Sequence, residues 1–522
     1  MPAHFHTVPD TSTNLATQLP ARERSTAQIR APEPKPELAF EPAVISWPAM
    51  PSGYSLLYFL AGVALRPYVP PTLPPEPTPT APTYAVVEVV PRDEAWDASV
   101  YIRPSATAPL TGHVAKGTRV PVRGELRVTA TRLCDSGLFL AVSPYGWMCS
   151  SDTRPTNEPP STEPVVSPLE GTPVPYRYAM VHIEEGSFVP MWGSLQALTE
   201  HLEPERELAR GDTIAIESVL EDFEGERYYV TVDGKVVPSA SLHSMKSFSA
   251  WHGVALDAET HFPFGWVTPQ KAAVYDAPGG KKVGDLARRE RVDILEEVEA
   301  GKRRYLRIGE GRYLRADQVN EVKKTERPEG TGSHRQWIDV DLGEQVVVAY
   351  QDGQPAYATL TSSGREPNHT PRGNYPVWGK ASAITMKSQQ YDDEPYYVNR
   401  VPWVMFFQAH NALHGAYWHD RFGIVKSHGC ANLAPLDARF LFDWLEPKLP
   451  AGWTSVRYVD LTEAPVVHVR DSLKTKKPFF QERNIGPPDK NDEAERLQKA
   501  IERREAQAAL ESVEGVVPSP AP

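Results

Sequence analysis

The chain has 522 residues, including 52 prolines and 3 cysteines, and its 55 Lys+Arg against 67 Asp+Glu give a formal net charge of −12. That length suits three or four domains at roughly 100–200 residues each. Proline at about twice ordinary usage argues against a largely helical protein, the acidic balance against a nucleic-acid binder, and the few cysteines against a disulfide scaffold. An apolar content of 40% still supplies real cores.

Proline marks the first map. Residues 1–83 carry APEPKPELAFEP and PYVPPTLPPEPTPTAP, an extended, solvated composition that buries no core and reads as a leader or spacer. Within it, 54–65 (YSLLYFLAGVAL) is apolar. It is shorter than the roughly 20 residues a membrane span needs, so no transmembrane helix is evident. Its length suits a signal-peptide hydrophobic region, although no Lys or Arg stands just before it, and equally a short buried segment. A start at Met50 would favour a weak export signal. A second proline burst, within 154–176 (PTNEPPSTEPVVSPLEGTPVP), reads as a linker.

Between and beyond these stretches runs a repeat. LFLAVSPYGWMCSSD (138–152), YYVTVDGKVVPSASL (228–242) and RYLRIGEGRYLRADQV (304–319) share an ending in which apolar residues alternate around a Gly turn. Such spacing predicts a β-hairpin. Each is preceded by another strand-like run: GTRVPVRGE, GDTIAIESV and RERVDILEEV. Short strands with Gly/Pro turns indicate small barrels. The pattern resembles bacterial SH3-like domains at 84–153, 177–250 (the weakest copy) and 251–325. That resemblance implies modules gripping cell-wall or other extracellular ligands. The alternative is β modules that only brace the rest. Cys134 and Cys149 flank the first hairpin and can pair, closing a loop worth roughly 3 kcal/mol in the chain-entropy model. Two reduced, buried thiols are the other reading. Pairing leaves Cys430 free.

Around Cys430 the sequence is QAHNALHGAYWHDRFGIVKSHGCANL (408–433). A cysteine attacks as thiolate and needs a base, and imidazole titrates near working pH. His414 and His428 are the candidates, with the backbone around Gly429 able to form an oxyanion hole. The residues therefore point to acyl transfer. HNALH puts His410 and His414 at a spacing that suits zinc on a helix, but no Glu follows His410 and the flanks read as strand, so no metal or other cofactor is expected. His410 and His419 read as packing or surface residues, and core packing is the default for Trp403, Trp418 and Trp444.

The HG…SHGCxN pattern resembles the catalytic domain of L,D-transpeptidases, the YkuD family. WIDVDLGEQVVVAYQDGQPAYATLTSSG (337–364), with its turn at Asp352-Gly353, and HTPRGNYPVWGK (369–380) resemble that family's opening strands and T-P-x-G segment. The likeness covers roughly 335–460. It implies a mainly β chain, with a β-sandwich-type catalytic domain preceded by SH3-like barrels. It makes Cys430 the nucleophile and His414 the base, with the Gly415 carbonyl fixing the tautomer. The N–H groups of His428, Gly429 and Cys430 form the oxyanion hole, supported by Ser427. Asn432 stands where many members carry Arg, and there it braces the loop rather than binding a carboxylate. The implied reaction is attack on the third-residue carbonyl of a peptidoglycan tetrapeptide stem, loss of D-alanine, and transfer of the thioester to an amine. The implied setting is periplasmic or cell-wall associated after export, with carbapenems as inhibitors.

A water acceptor would make the chain an L,D-carboxypeptidase, and a degenerate site would make it a wall-binding scaffold. A papain-like amidase is disfavoured because His414 precedes Cys430. Within this likeness the polar stretch 380–402 reads as a lid over the cleft, with Tyr391, Tyr397 and Trp418 as weak substrate contacts. PLDARFLFDWLEPKL (435–449) has helical apolar spacing. Residues 461–522 read as a charged tail with a solvated or partner-docked helix at 489–514.

Overall fold

The computed structural model describes residues 76–473, apart from 93–94, 106, 133, 222–224, 330, 333, 367 and 389–395. The leader with its apolar run, Tyr391 and the 489–514 stretch lie outside the described residues. Strands dominate the rest, and among the described residues no helix is long and apolar enough to cross a membrane.

One strand circuit is drawn three times before residue 325. In each unit the first strand pairs on one side with a middle strand. On the other side it pairs with the last strand, which follows a single 3₁₀ turn. Val86–Val89 lies between Arg119–Arg127 and Thr153–Pro155, reached through Ser150–Asp152. Arg177–Val181 lies between Thr213–Glu221 and Leu242–Met245, reached through Ser239–Ser241. Phe264–Val267 lies between Arg291–Asp293 and Val319–Val322, reached through Ala316–Gln318. The shared sequence ending is this hairpin plus its 3₁₀ turn: alternating apolar residues face a small core, and the Gly turn reverses the chain. Each unit has its own core, around Val100 and Met148, Val181 and Ile214, and Val274 and Leu306. Cys134 and Cys149 form a disulfide in the first unit, with Cα atoms 5.6 Å apart.

After residue 335 two sheets face each other. The first orders β3 (Gln354–Leu360), β2 (Val346–Gln351), β1 (Gln336–Asp341), β10 (Val466–Arg470) and β4 (Gly373–Pro376). The second runs β9 (Trp453–Arg457), β5 (Gly379–Lys387), β6 (Tyr397–Gln408), β7 (Asn411–Gly415) and β8 (Ala431–Leu433). Helix α1 (Pro435–Trp444) follows β8 directly. Ile338, Val340 and Val347 from one sheet meet Met405, Leu413 and Leu433 from the other, with Leu441 and Phe442 of α1 completing the core. Asp352 and Gly353 both have positive φ, 53° and 77°, the two-residue turn that matches strand twist between β2 and β3.

Three expectations are corrected. The stretch 380–402, expected as a polar insertion over the cleft, is mostly β5 and β6, paired from Gly379↔Phe406 to Lys387↔Tyr397, with 389–395 outside the described residues. Its polar appearance hides near-continuous burial: Lys380 itself is buried, donating to the carbonyls of Phe442, Leu445 and Pro447 at and just beyond the end of α1. The tail does not begin at 461, because VVHVR is a central strand parallel to β1. The second proline burst is not a free spacer. Val166 is buried in the sandwich core with Val165 beside it, and the Glu163 carbonyl accepts from Gly452 N–H. Proline-rich chain needs no sheet partner, so apolar residues within it can still be laid onto a neighbour.

The three units are docked on the sandwich. Leu110–Ala115 of the first extends the second sheet at β9, with Gly112 opposite Val456. Phe264, Trp266 and Val322 of the third share a core with Trp337, Tyr350 and Phe422. The second grips the start of β6: Asp212 accepts from Tyr397 N–H, Asn399 accepts from Ala215 N–H, and Asp233 pairs with Arg400 at 2.6 Å.

Candidate active site

Strands β7 and β8 run parallel, with His414 opposite Asn432 and Leu413 opposite Ala431. Side chains two apart on a strand share a face. Cys430, one residue before β8, therefore lies on the face of Asn432 and His414, diagonally across from the imidazole. The strand order thus brings together a histidine and a cysteine sixteen residues apart. His414 is buried, and its Nδ1 faces the Gly415 carbonyl at 3.4 Å. That contact puts the proton on Nδ1 and leaves Nε2 as the basic nitrogen.

Cys430 is the free thiol and is half-buried. Its Sγ lies 3.8 Å from the His410 carbonyl. Burial pushes the thiol up to about 11, against a smaller pull from the Ala412 amide. Burial also pushes the His414 imidazole down to about 4. Shifted in these directions by burial, both side chains are uncharged near neutral pH.

The loop before Cys430 is closed on itself. Ser427 Oγ donates to the Cys430 carbonyl and accepts from Gly429 N–H at 3.2 Å. Gly429 has φ 125°, and a Cβ there would stand 2.6 Å from Asn411 Oδ1, so only glycine fits. Because Ser427 takes the Gly429 N–H, that group leaves the expected oxyanion-hole set. Ser427 is the brace of the turn. His428 is exposed and stacks on Tyr396, ring centroids 5.2 Å apart.

Asn432 bonds backbone to backbone with Ser362 in both directions, and its side chain meets His419 Nε2 at 2.9 Å. His419 Nδ1 accepts from Arg421 N–H, and burial pushes this imidazole down to about 3. Sequence reasoning set His419 aside as packing or surface. Only the fold places it on Asn432, and the WHD context carried no separate signal. Trp418 is at the site, stacked on His414 at 5.8 Å. Tyr397 is not: it is buried at 3% exposure in the core of the second unit, beneath Arg206. His410 sits in the β6–β7 turn, so the HNALH spacing is not helical and does not juxtapose its imidazoles. Among the described residues no group of three or more His, Cys, Asp or Glu is placed to hold a metal.

A sandwich that brings a buried histidine on one strand and a free cysteine, in the glycine-bearing turn before the next, to one face is an arrangement able to carry thiol-based acyl transfer. Residues 335–467 match the YkuD family, the L,D-transpeptidase catalytic domain. Among solved structures, the chain is similar to an Enterococcus faecium L,D-transpeptidase crystallised as a point mutant. The identity is 25%, over 28% of this chain and 54% of that one, with a TM-score of 0.22. It is similar to the NMR structure of the catalytic domain of an E. faecium L,D-transpeptidase at 28% identity, over 26% of this chain and 98% of that one, TM-score 0.21. It also resembles L,D-transpeptidase 3 from Mycobacterium tuberculosis in complex with a faropenem-derived adduct. There the identity is 16%, over 39% of this chain and 78% of that one, TM-score 0.22. The chain thus spans about half the length of the first of these relatives. No curated protein matches it.

Proposed function

We propose that this chain is a peptidoglycan L,D-transpeptidase working through Cys430. The observation that carries the reading is that His414 on β7, Asn432 on β8 and Cys430 just before β8 share one face, within the segment that matches the family. His414 Nε2 takes the thiol proton as Sγ attacks the carbonyl of the third residue of a tetrapeptide stem. The tetrahedral oxyanion is stabilised by backbone N–H groups of the Cys430 turn, His428 and Cys430 itself. Collapse expels D-alanine, whose amine takes the proton back from His414, and leaves a thioester on Sγ. An amine acceptor then attacks, giving a cross-link, an attached protein or an exchanged amino acid. Water in that role would give carboxypeptidase products instead.

The stem peptide is the partner, and carbapenems acylate the same thiol. The three upstream units are SH3-like modules presenting the sandwich to wall ligands, and the chain works outside the cytoplasm, periplasmic or wall-associated. The Cys134–Cys149 disulfide supports an oxidising compartment.

The test is mass spectrometry of the full chain incubated with a disaccharide-tetrapeptide and a panel of amines. D-alanine release that Cys430→Ala and His414→Ala abolish, and His410→Ala leaves intact, is the expected result. Product masses name the acceptor. Release unaffected by Cys430→Ala would reject the mechanism.

A further inference from the structure

We propose that the second β unit is a working part of the catalytic centre, its Tyr178 and Thr213 acting as positioning residues for His414. The proposal rests on the acyl-transfer reading above and goes beyond it by giving an upstream unit a role in the chemistry.

The contact chain is continuous. His414 lies against Trp418, rings 5.8 Å apart and 27° from parallel. Trp418 meets Tyr417 edge-on at 5.0 Å. Tyr417 stacks on Tyr178 of the second unit, centroids 3.6 Å apart and 18° from parallel. Tyr417 Oη donates to the Asn399 carbonyl at 2.6 Å, so its oxygen accepts from Thr213 Oγ1 at 2.7 Å. Tyr178 Oη in turn donates to the Arg400 carbonyl at 2.9 Å. All three side chains, Tyr178, Thr213 and Tyr417, are within 2% of full burial.

The second unit also fixes the other wall of the site. Its Asp212, Ala215 and Asp233 hold Tyr397, Asn399 and Arg400 of β6. Immediately before them, Tyr396 stacks on His428 beside the nucleophile. One small unit thus backs the imidazole from one side and anchors the stacking partner of His428 from the other. Close packing transmits such constraint, because a buried ring that loses its neighbour does not keep its place. A misplacement on the order of 1 Å costs an acyl-transfer site roughly 100-fold in rate.

The experiment measures the rate at which imipenem acylates Cys430 in the full chain, by intact mass, together with kcat and KM on the disaccharide-tetrapeptide. Tyr178→Ala and Thr213→Val should each lower the acylation rate and kcat by about 10-fold or more with KM little changed, while Tyr178→Phe, which keeps the stack, restores most of the rate. Leu208→Ala, a core truncation in the same unit away from the stack, should lower the thermal midpoint without slowing acylation. Wild-type acylation at the same rate in Tyr178→Ala and Thr213→Val would overturn the proposal, and so would Leu208→Ala slowing acylation as much as they do. A wild-type chain that neither reacts with imipenem nor releases D-alanine would instead overturn the acyl-transfer reading on which the proposal stands.

Discussion

The two residues proposed to carry the chemistry, His414 and Cys430, have had their acidities moved apart. With His414 held near 4 and Cys430 near 11, the neutral pair persists across the physiological range. The acylation rate by a carbapenem should therefore stay flat from about pH 5 to about pH 10, since only outside that window does imidazole gain or thiol lose its proton. Alkylation by iodoacetamide, which needs preformed thiolate, should be slow at neutrality and climb toward the thiol's own acidity. A rate that falls off below neutrality with a midpoint near pH 6.5 would show an ordinary imidazole instead. Gly429 sets the turn. Gly429→Ala should cost about 1–3 kcal/mol of stability and most of the activity, because its φ is left-handed and a Cβ meets Asn411. Urea unfolding and D-alanine release read the two losses.

Among the elements, β5 and α1 are joined through one ammonium. Lys380 gives its protons to three carbonyls at the end of α1, the helix that follows the Cys430 strand. Lys380→Met removes all three donors while keeping the volume, and should cost about 2–4 kcal/mol by urea unfolding, since unsatisfied buried acceptors are expensive. A loss below about 0.5 kcal/mol would mean that water replaces the amine.

The same elements tell how much was legible beforehand. The Asp352-Gly353 turn, the strands on either side of it and the SHGCAN turn were readable because each is a local pattern carried by residues close in sequence. The hairpin of β5 and β6 was not, because KASAITMK and YVNRVPWV become strands by pairing with each other and with β9 and β7. His419 was missed for the same reason: its partner Asn432 is thirteen residues away and reaches it only through the fold. Tyr397 was misplaced because an aromatic beside a polar stretch looks like a cleft residue until a neighbouring unit covers it.

Across the whole molecule, pH acts through buried imidazoles. His414, His419 and His468 are all depressed by burial, to about 4, 3 and 4. An unfolded histidine binds its proton near 6.5, so below that pH the unfolded state holds more protons than the folded one. These imidazoles therefore lower stability as pH drops from about 6.5 to about 4, while Glu344 and Asp437, pushed up by burial to about 7 and about 6, pull the other way; the loss on acidification should be smaller in His468→Gln than in the wild type. The same pH dependence in His468→Gln and the wild type would contradict the depressed value of His468. The disulfide works at this scale too. Replacing Cys134 and Cys149 with serine should cost about 3 kcal/mol, from the loop the bond closes, while acylation of Cys430 continues. Thermal unfolding and intact mass of one sample report both.

The three described upstream units dock on the domain that carries Cys430, and the fate of that thiol is the most direct test. Full-length protein mixed with disaccharide-tetrapeptide, quenched in acid within a turnover and digested for peptide mass mapping should carry the stem peptide, less its terminal D-alanine, on Cys430. The Cys430→Ala protein should carry none. An acyl group on any other residue, or D-alanine released by the alanine variant, would contradict the assignment of Cys430 as the nucleophile.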